Sequence, residues 1–185
     1  TGKDDLIGFA HLIRGVNAVH RGRCREGRRL LDRAALELRA CPGKSWELDL
    51  ASVYDQLGAS HNGDYADIVR STPGLVDEAL RRGRVWTAAM LSGVAGFPAW
   101  NTEGPAAYRR QLAEIARHWR PRFPPVWPDY QLLMGEALLG LYEGQPERSV
   151  ALLEERREAF CGHGPSPGAG EGSGGVAVLP HSVAY

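Results

Sequence analysis

Apolar residues recur every three or four positions along most of the chain, the spacing that lines up on one face of a helix. Between Asp5 and Arg21 the residues Leu6, Phe9, Ile13, Val16 and Val19 make one such stripe. Between Arg23 and Cys41, Gly27, Leu30, Leu31, Ala34, Ala35 and Leu38 make a second. "ACPGKS" then ends the helix, because Pro42 cannot continue it. Ser45 is the expected N-cap of "WELDLASVYDQLGASH", with Glu47 favourably acidic in the first turn. Next, "DYADIVRS" is expected to stop at "TPG", where Thr72 caps and Pro73 opens a fresh helix through Arg82. "VWTAAMLSGVAGFPAW", "GPAAYRRQLAEIARHW", "PDYQLLMGEALLGLYEG" and "PERSVALLEERREAF" complete the helical stretches. No stretch alternates as a half-buried strand does.

These helices are punctuated at a fixed interval. Gly22, Gly63, Gly104 and Gly144 lie 41, 41 and 40 residues apart, each after one helical stretch and just before another. Glycine tolerates the left-handed backbone that ends a helix, and Asp or Pro close behind it suits the next start. Such a period marks helical hairpins, each too small to bury its apolar face alone. Small residues at Gly15, Ala18, Gly27 and Ala34 allow two antiparallel helices to approach closely. The predicted fold class is therefore all-α, a right-handed stack of about four antiparallel helical hairpins, a tetratricopeptide-like solenoid. Its period exceeds the roughly 34 residues of the tetratricopeptide motif itself. Residues 1–160 form the expected helical-repeat domain. Residues 161–185 hold seven Gly and three Pro and are expected to be a flexible tail.

Composition narrows the picture. Acidic and basic residues balance at 22 each, so no overall field favours nucleic acid or an anionic membrane. Among the basic residues only Lys3 and Lys44 are lysines. Cys24, Cys41 and Cys161 are an odd set without a C-x-x-C pair, and no apolar run nears the roughly 18 residues of a membrane span. A cytoplasmic protein is expected. The first residue is Thr and a helix pattern starts almost at once, as expected of a segment of a longer protein.

Candidate chemistry is sparse. "GEGSGG" at 170–175 matches G-x-G-x-x-G, but it lies in the Gly-rich tail without the following helix that phosphate cradling needs, so a linker is the better reading. His11, His20, His61, His118, His163 and His181 form no H-E-x-x-H or zinc-finger spacing, and no metal or cofactor is expected. Cys24, near a helix start and beside arginines, fits either a lowered thiol pKa or a small packing residue, and the second is favoured. Ser52, Asp55 and His61 occupy one helical run, poor geometry for a triad. Residues 11–40 carry eight arginines against Glu26, Asp32 and Glu37. A solvated face whose arginine stems cover apolar neighbours accounts for them better than a nucleic-acid surface. Trp46, Trp86, Trp100, Trp119 and Trp127 fall within or beside apolar faces, most of them as expected interhelix filling.

Three strings carry a family resemblance: "RGVNAVHRGRCREGRRLLDRAALELRACPGKSWELDLASVY", "PGLVDEALRRGRVWTAAML" and "PDYQLLMGEALLGLYEGQPERSVALLEERREAF". From about Leu6 to Phe160 the chain resembles the C-terminal tetratricopeptide-like helical-repeat region of large bacterial serine/threonine protein kinases. Its most specific elements are C-x-G-x-x-W-E-L-D at Cys41–Asp49 and "EALRRG" plus an aromatic at Glu78–Trp86. The family continues past the position of Phe160 with a long basic helix, where this chain has its Gly/Pro tail. "H-R-D", "D-F-G" and a "V-A-I-K" lysine are missing, so kinase activity would belong to the parent protein. The resemblance implies a non-catalytic scaffold for protein–protein interaction or regulation, binding a protein or peptide, including domains of its own parent. Arg28, Trp46 and Trp86 are the candidate partner-binding residues, since aromatic and Arg anchors dominate such surfaces. The alternative is a small-molecule or nucleotide-sensing helical module of a signalling ATPase or regulator. A deep apolar pocket would favour that, and an open groove the scaffold.

Overall fold

The computed structural model describes residues 2–120 and 125–161. Among them the chain is all-helical: α1 (Gly2–His20), α2 (Cys24–Arg39), α3 (Ser45–Asn62), α4 (Tyr65–Arg81), α5 (Val85–Glu103), α6 (Pro105–His118), α7 (Trp127–Tyr142) and α8 (Pro146–Cys161). The tail expected at 161–185, with its "GEGSGG", His163 and His181, lies outside the described residues apart from the last residue of α8.

The four periodic glycines do adopt left-handed backbone, with φ of +74° at Gly22, +78° at Gly63, +81° at Gly104 and +70° at Gly144. Gly43 and Gly83 do the same between α2 and α3 and between α4 and α5. From α1 to α6 the punctuation is therefore one glycine about every 20 residues, one per helix rather than one per pair, while the α6–α7 connection carries prolines and no glycine. At Gly63 the cap is complete, its N–H reaching back to the carbonyls of Ala59 and Ser60.

Extensive contacts join each helix to the next in the chain, and α1 to α3, α3 to α5 and α5 to α7. The apolar interior is accordingly a series of clusters. Leu12, Val19, Leu31, Ala34, Leu38 and Ala51 link the first three helices. Val53, Val76, Ala88, Leu91 and Ile115 link α3 to α6, and Tyr108, Leu112 and Leu139 join α6 to α7. Each fully buried Leu or Ile contributes about 1.5–3 kcal/mol relative to exposure.

The close approach of α1 and α2 at Gly15, Ala18, Gly27 and Ala34 is as expected, but the buried face of α1 is not the predicted stripe. Leu6, Phe9 and Ile13, the large residues of the predicted stripe, are 68, 46 and 42 % exposed. The inward face is instead Gly8, Leu12, Gly15, Ala18 and Val19. A Cβ at Gly8 would stand 2.9 Å from Leu38 Cγ, and one at Gly15 would stand 2.8 Å from Leu31 Cγ. Early residues of α1 thus meet late residues of α2, an antiparallel pair whose closeness depends on missing side chains. Where backbones come this near, small residues decide the buried face and bulk does not.

Two further expectations are corrected. α4 runs unbroken through Pro73 instead of restarting there. Proline removes one backbone donor and ordinarily kinks a helix, but the turn just before the ring is tied down. Thr72 is buried and donates to Gln56 Oε1 at 2.9 Å, while Ser71 Oγ donates to the Asp67 carbonyl at 2.8 Å. Val76 and Ala79 then continue the same buried face. Ser45 is the first residue of α3, not its cap; Lys44 stands at the cap position without a side-chain cap bond. Lys44 instead pairs with Asp5 of α1 at 3.3 Å.

Candidate functional site

Trp46 lies in the first turn of α3 and Trp86 in the first turn of α5. Packing of α3 on α5 brings both helix starts to one end of the molecule, and the two indoles meet with ring centroids 4.6 Å apart and planes at 50°. Trp119, directly after α6, lines the same cleft, as do Asp49, Arg84 and Arg120. The cleft encloses about 530 Å³. Trp46 is 51 % exposed at its rim, whereas Trp86 and Trp119 are half-buried. The wall is therefore open, which is more than interhelix filling would leave. Trp127 is also exposed, stacked on Tyr130 at 5.6 Å, and the side chain of Trp100 lies outside the described residues.

Polar groups lining the same cleft tie its helices together. Asp49, only 7 % exposed, accepts from Thr87 Oγ1 at 2.8 Å and is paired with Arg84 Nη1. A carboxylate so deeply buried is tolerable only because both bonds and the guanidinium charge compensate its lost hydration. These bonds also clamp α3 to the start of α5, fixing Trp46 relative to Trp86. Arg84 Nε is buried without a hydrogen-bond partner among the described residues. Trp119 is fixed separately: its Nε1–H donates to Asp129 Oδ1 at 2.7 Å, and Asp129 Oδ2 accepts from the Val126 N–H at 2.8 Å. His118 turns Nδ1 to the Glu114 carbonyl at 3.0 Å. Arg120 is exposed and makes no ion pair among the described residues.

Arg28 is placed elsewhere. It lies in a separate, smaller depression with Asp32, Gln56 and Ser71. Its Nε donates to Asp55 at 2.9 Å, Nη1 to Asp64 at 2.6 Å, and Nη2 approaches Asp67 at 3.5 Å. Burial alone would lower its pKa, but the hydrogen bonds and charges of Asp55 and Asp64 outweigh that and raise it. Asp64 is held below the ordinary carboxylate value, first by the Asn62 hydrogen bond and then by Arg28. Burial and the Asp55 charge push Asp32 upward. One guanidinium thereby ties α2 to α3 and α4, and its donors are committed within the chain.

The remaining candidates have structural partners. His11 Nδ1 contacts Glu37 at 2.7 Å, which lowers the Glu37 pKa. His20 sits edge-on to Tyr54 with centroids 5.2 Å apart. Cys24 is buried and Cys41 half-buried, both free thiols. Among the described residues no three His, Cys, Asp or Glu side chains are grouped to hold a metal ion, and no helix is long and apolar enough to cross a membrane. Sequence reasoning missed Asp49 and Arg84, which are 35 residues apart. A signal existed in each: an acidic residue inside an apolar helical face, and an arginine beside Gly83 at a helix start.

No known protein family, curated protein or solved structure matches this chain.

Proposed function

We propose that the chain is a non-catalytic, tetratricopeptide-like stack of helical hairpins that holds a protein or peptide partner at the tryptophan cleft. The observation that carries this reading is the Trp46–Trp86 pair, Trp46 exposed at the rim and Trp86 half-buried, on helices tied together by Asp49, Arg84 and Thr87. Indoles that keep part of their surface open on a fixed wall offer large contact area at little conformational cost, the character of a binding anchor. Contacts restricted to near neighbours along the chain fit an extended array better than one closed core. On the family resemblance, the parent is a multidomain bacterial serine/threonine protein kinase, and this segment presents partners or regulatory domains to it.

A phage-displayed random dodecapeptide library panned against the immobilised full chain tests the reading. Peptides should be enriched whose binding falls at least about tenfold when Trp46 or Trp86 becomes Ala, the usual scale of a hot-spot loss. A selection that enriches nothing dependent on those two residues refutes it. The small-molecule alternative draws on the cleft volume, which lies within the roughly 300–1,000 Å³ of ligand sites. Its openness at Trp46 favours a chain that passes through over a compact ligand that is enclosed.

A further inference from the structure

We infer that the segment bound in the tryptophan cleft is acidic, placing an aromatic or proline ring against Trp46 and Trp86 and a carboxylate against Arg120. The inference rests on the scaffold reading above and adds the chemistry of what is held.

Two features of the wall select that chemistry. The first is shape and polarisability. Trp46, Trp86 and Trp119 all line the cleft, and indole faces pack best against flat or ring-shaped apolar groups. Trp119 is held by its bond to Asp129, and the Thr87–Asp49 bond ties the helix that carries Trp46 to the start of α5, so an entering ring meets a largely preformed surface.

The second is charge. Among the described residues two arginines line the cleft, Arg84 and Arg120, against one carboxylate, Asp49. Asp49 is fully engaged by Arg84 and Thr87, so it offers no free negative charge to a cationic ligand. A lysine-bearing peptide or a quaternary ammonium would find aromatic faces but also an uncompensated Arg120. Removing the paired charges leaves Arg120 as the surplus, exposed at the rim beside Trp119. A carboxylate there gains a charge-assisted bond without displacing any internal partner. Arg28, by contrast, already holds three carboxylates and has none to offer.

The experiment follows the indole Nε1–H resonances of the ¹⁵N-labelled full chain, assigned with single Trp→Phe variants. Three blocked dodecapeptides are titrated: repeats of Glu-Phe-Asp-Pro, of Gln-Phe-Asn-Pro and of Lys-Phe-Lys-Pro. AMP is added separately as a flat ring joined to a phosphate. The acidic peptide should shift the Trp46 and Trp86 resonances at up to about 1 mM and leave Trp127 in place. Binding should weaken about tenfold in Arg120→Glu and several-fold with added salt. Arg120 is exposed and pairs with no side chain among the described residues, so that variant should keep its fold, as its far-UV circular dichroism would verify. Equal or tighter binding of the Gln/Asn or Lys peptide overturns the inference while leaving the scaffold reading to the library selection. Tighter binding of AMP at the same indoles overturns it in favour of a nucleotide site. Silence of Trp46 and Trp86 toward the acidic peptide also overturns it.

Discussion

Gly27 and Gly74 are both helical glycines, and replacing each with Ala should move stability in opposite directions. A Cβ at Gly27 would lie 2.6 Å from Val19 Cγ2, 3.0 Å from the Gly15 carbonyl oxygen and 3.1 Å from the Val19 nitrogen. Two of those three atoms are backbone, so no side-chain rotation relieves the contact. The helices α1 and α2 must part, which loosens the packing of Leu12, Leu31 and Leu38 between them. Overpacking of this kind costs about 1–3 kcal/mol. Against it stands the helix propensity of Ala over Gly, about 1 kcal/mol. Because backbone atoms block the Cβ, the cost falls in the upper part of that range, and Gly27→Ala should lose about 1–2 kcal/mol net. Gly74 lies inside α4 with nothing within 4 Å of a built Cβ. Only the propensity term acts there, so Gly74→Ala should gain up to about 1 kcal/mol. For a chain of this size each kcal/mol moves the melting midpoint by about 2–4 °C. Thermal and urea unfolding followed by far-UV circular dichroism would measure both variants. A Gly27→Ala protein as stable as its parent would refute the close approach of α1 and α2. Should Gly74→Ala prove destabilising, the open face assigned to α4 would be wrong.

Asp49→Ala should cost about 3 kcal/mol, the lower end for removing one partner of a buried pair, because Arg84 keeps 24 % of its side chain in water; Asp49→Asn, which can still accept from Thr87, should cost less, and the urea midpoints of the two variants check the order. The Trp46 and Trp86 indoles should also lose their fixed relation in Asp49→Ala, seen as a weakened near-ultraviolet circular dichroism signal. Glu37 and Asp64 have lowered carboxylate pKa values, so their stabilisation is complete above the unfolded values of about 4 and disappears as pH falls through the folded ones. Asp32 is shifted upward and works in the opposite sense, becoming less unfavourable as it protonates. Two groups against one, the urea midpoint should decline below about pH 4, and a midpoint that rises there would contradict the Arg28 and His11 assignments.

What could be read from the chain was what is local. Helical period and the turn preference of Gly22, Gly63, Gly104 and Gly144 act over a few residues, so both survived into three dimensions. The buried side of α1 did not, because the residues that decide it are the absent side chains of Gly8 and Gly15 and the reach of Leu31 and Leu38 from another helix. Pro73 was misread for a similar reason: Gln56, in α3, supplies the acceptor that helps keep the helix intact. Trp46 and Trp86 were picked out as anchors separately, but nothing in a 40-residue separation says that two rings touch. Arg28 was chosen for its type, and type alone carries no sign of Asp55, Asp64 and Asp67 converging on it from later helices.

Because each helix leans mainly on those one or two places along the chain, few pairings require distant segments to find one another. Loops of some 20 residues close at modest entropic cost. Pairings this local favour faster assembly than a fold built from distant ones. If the hairpins stack as proposed, assembly can begin at any adjoining pair and spread outward in both directions, so a flaw at one end slows only the last steps of the process.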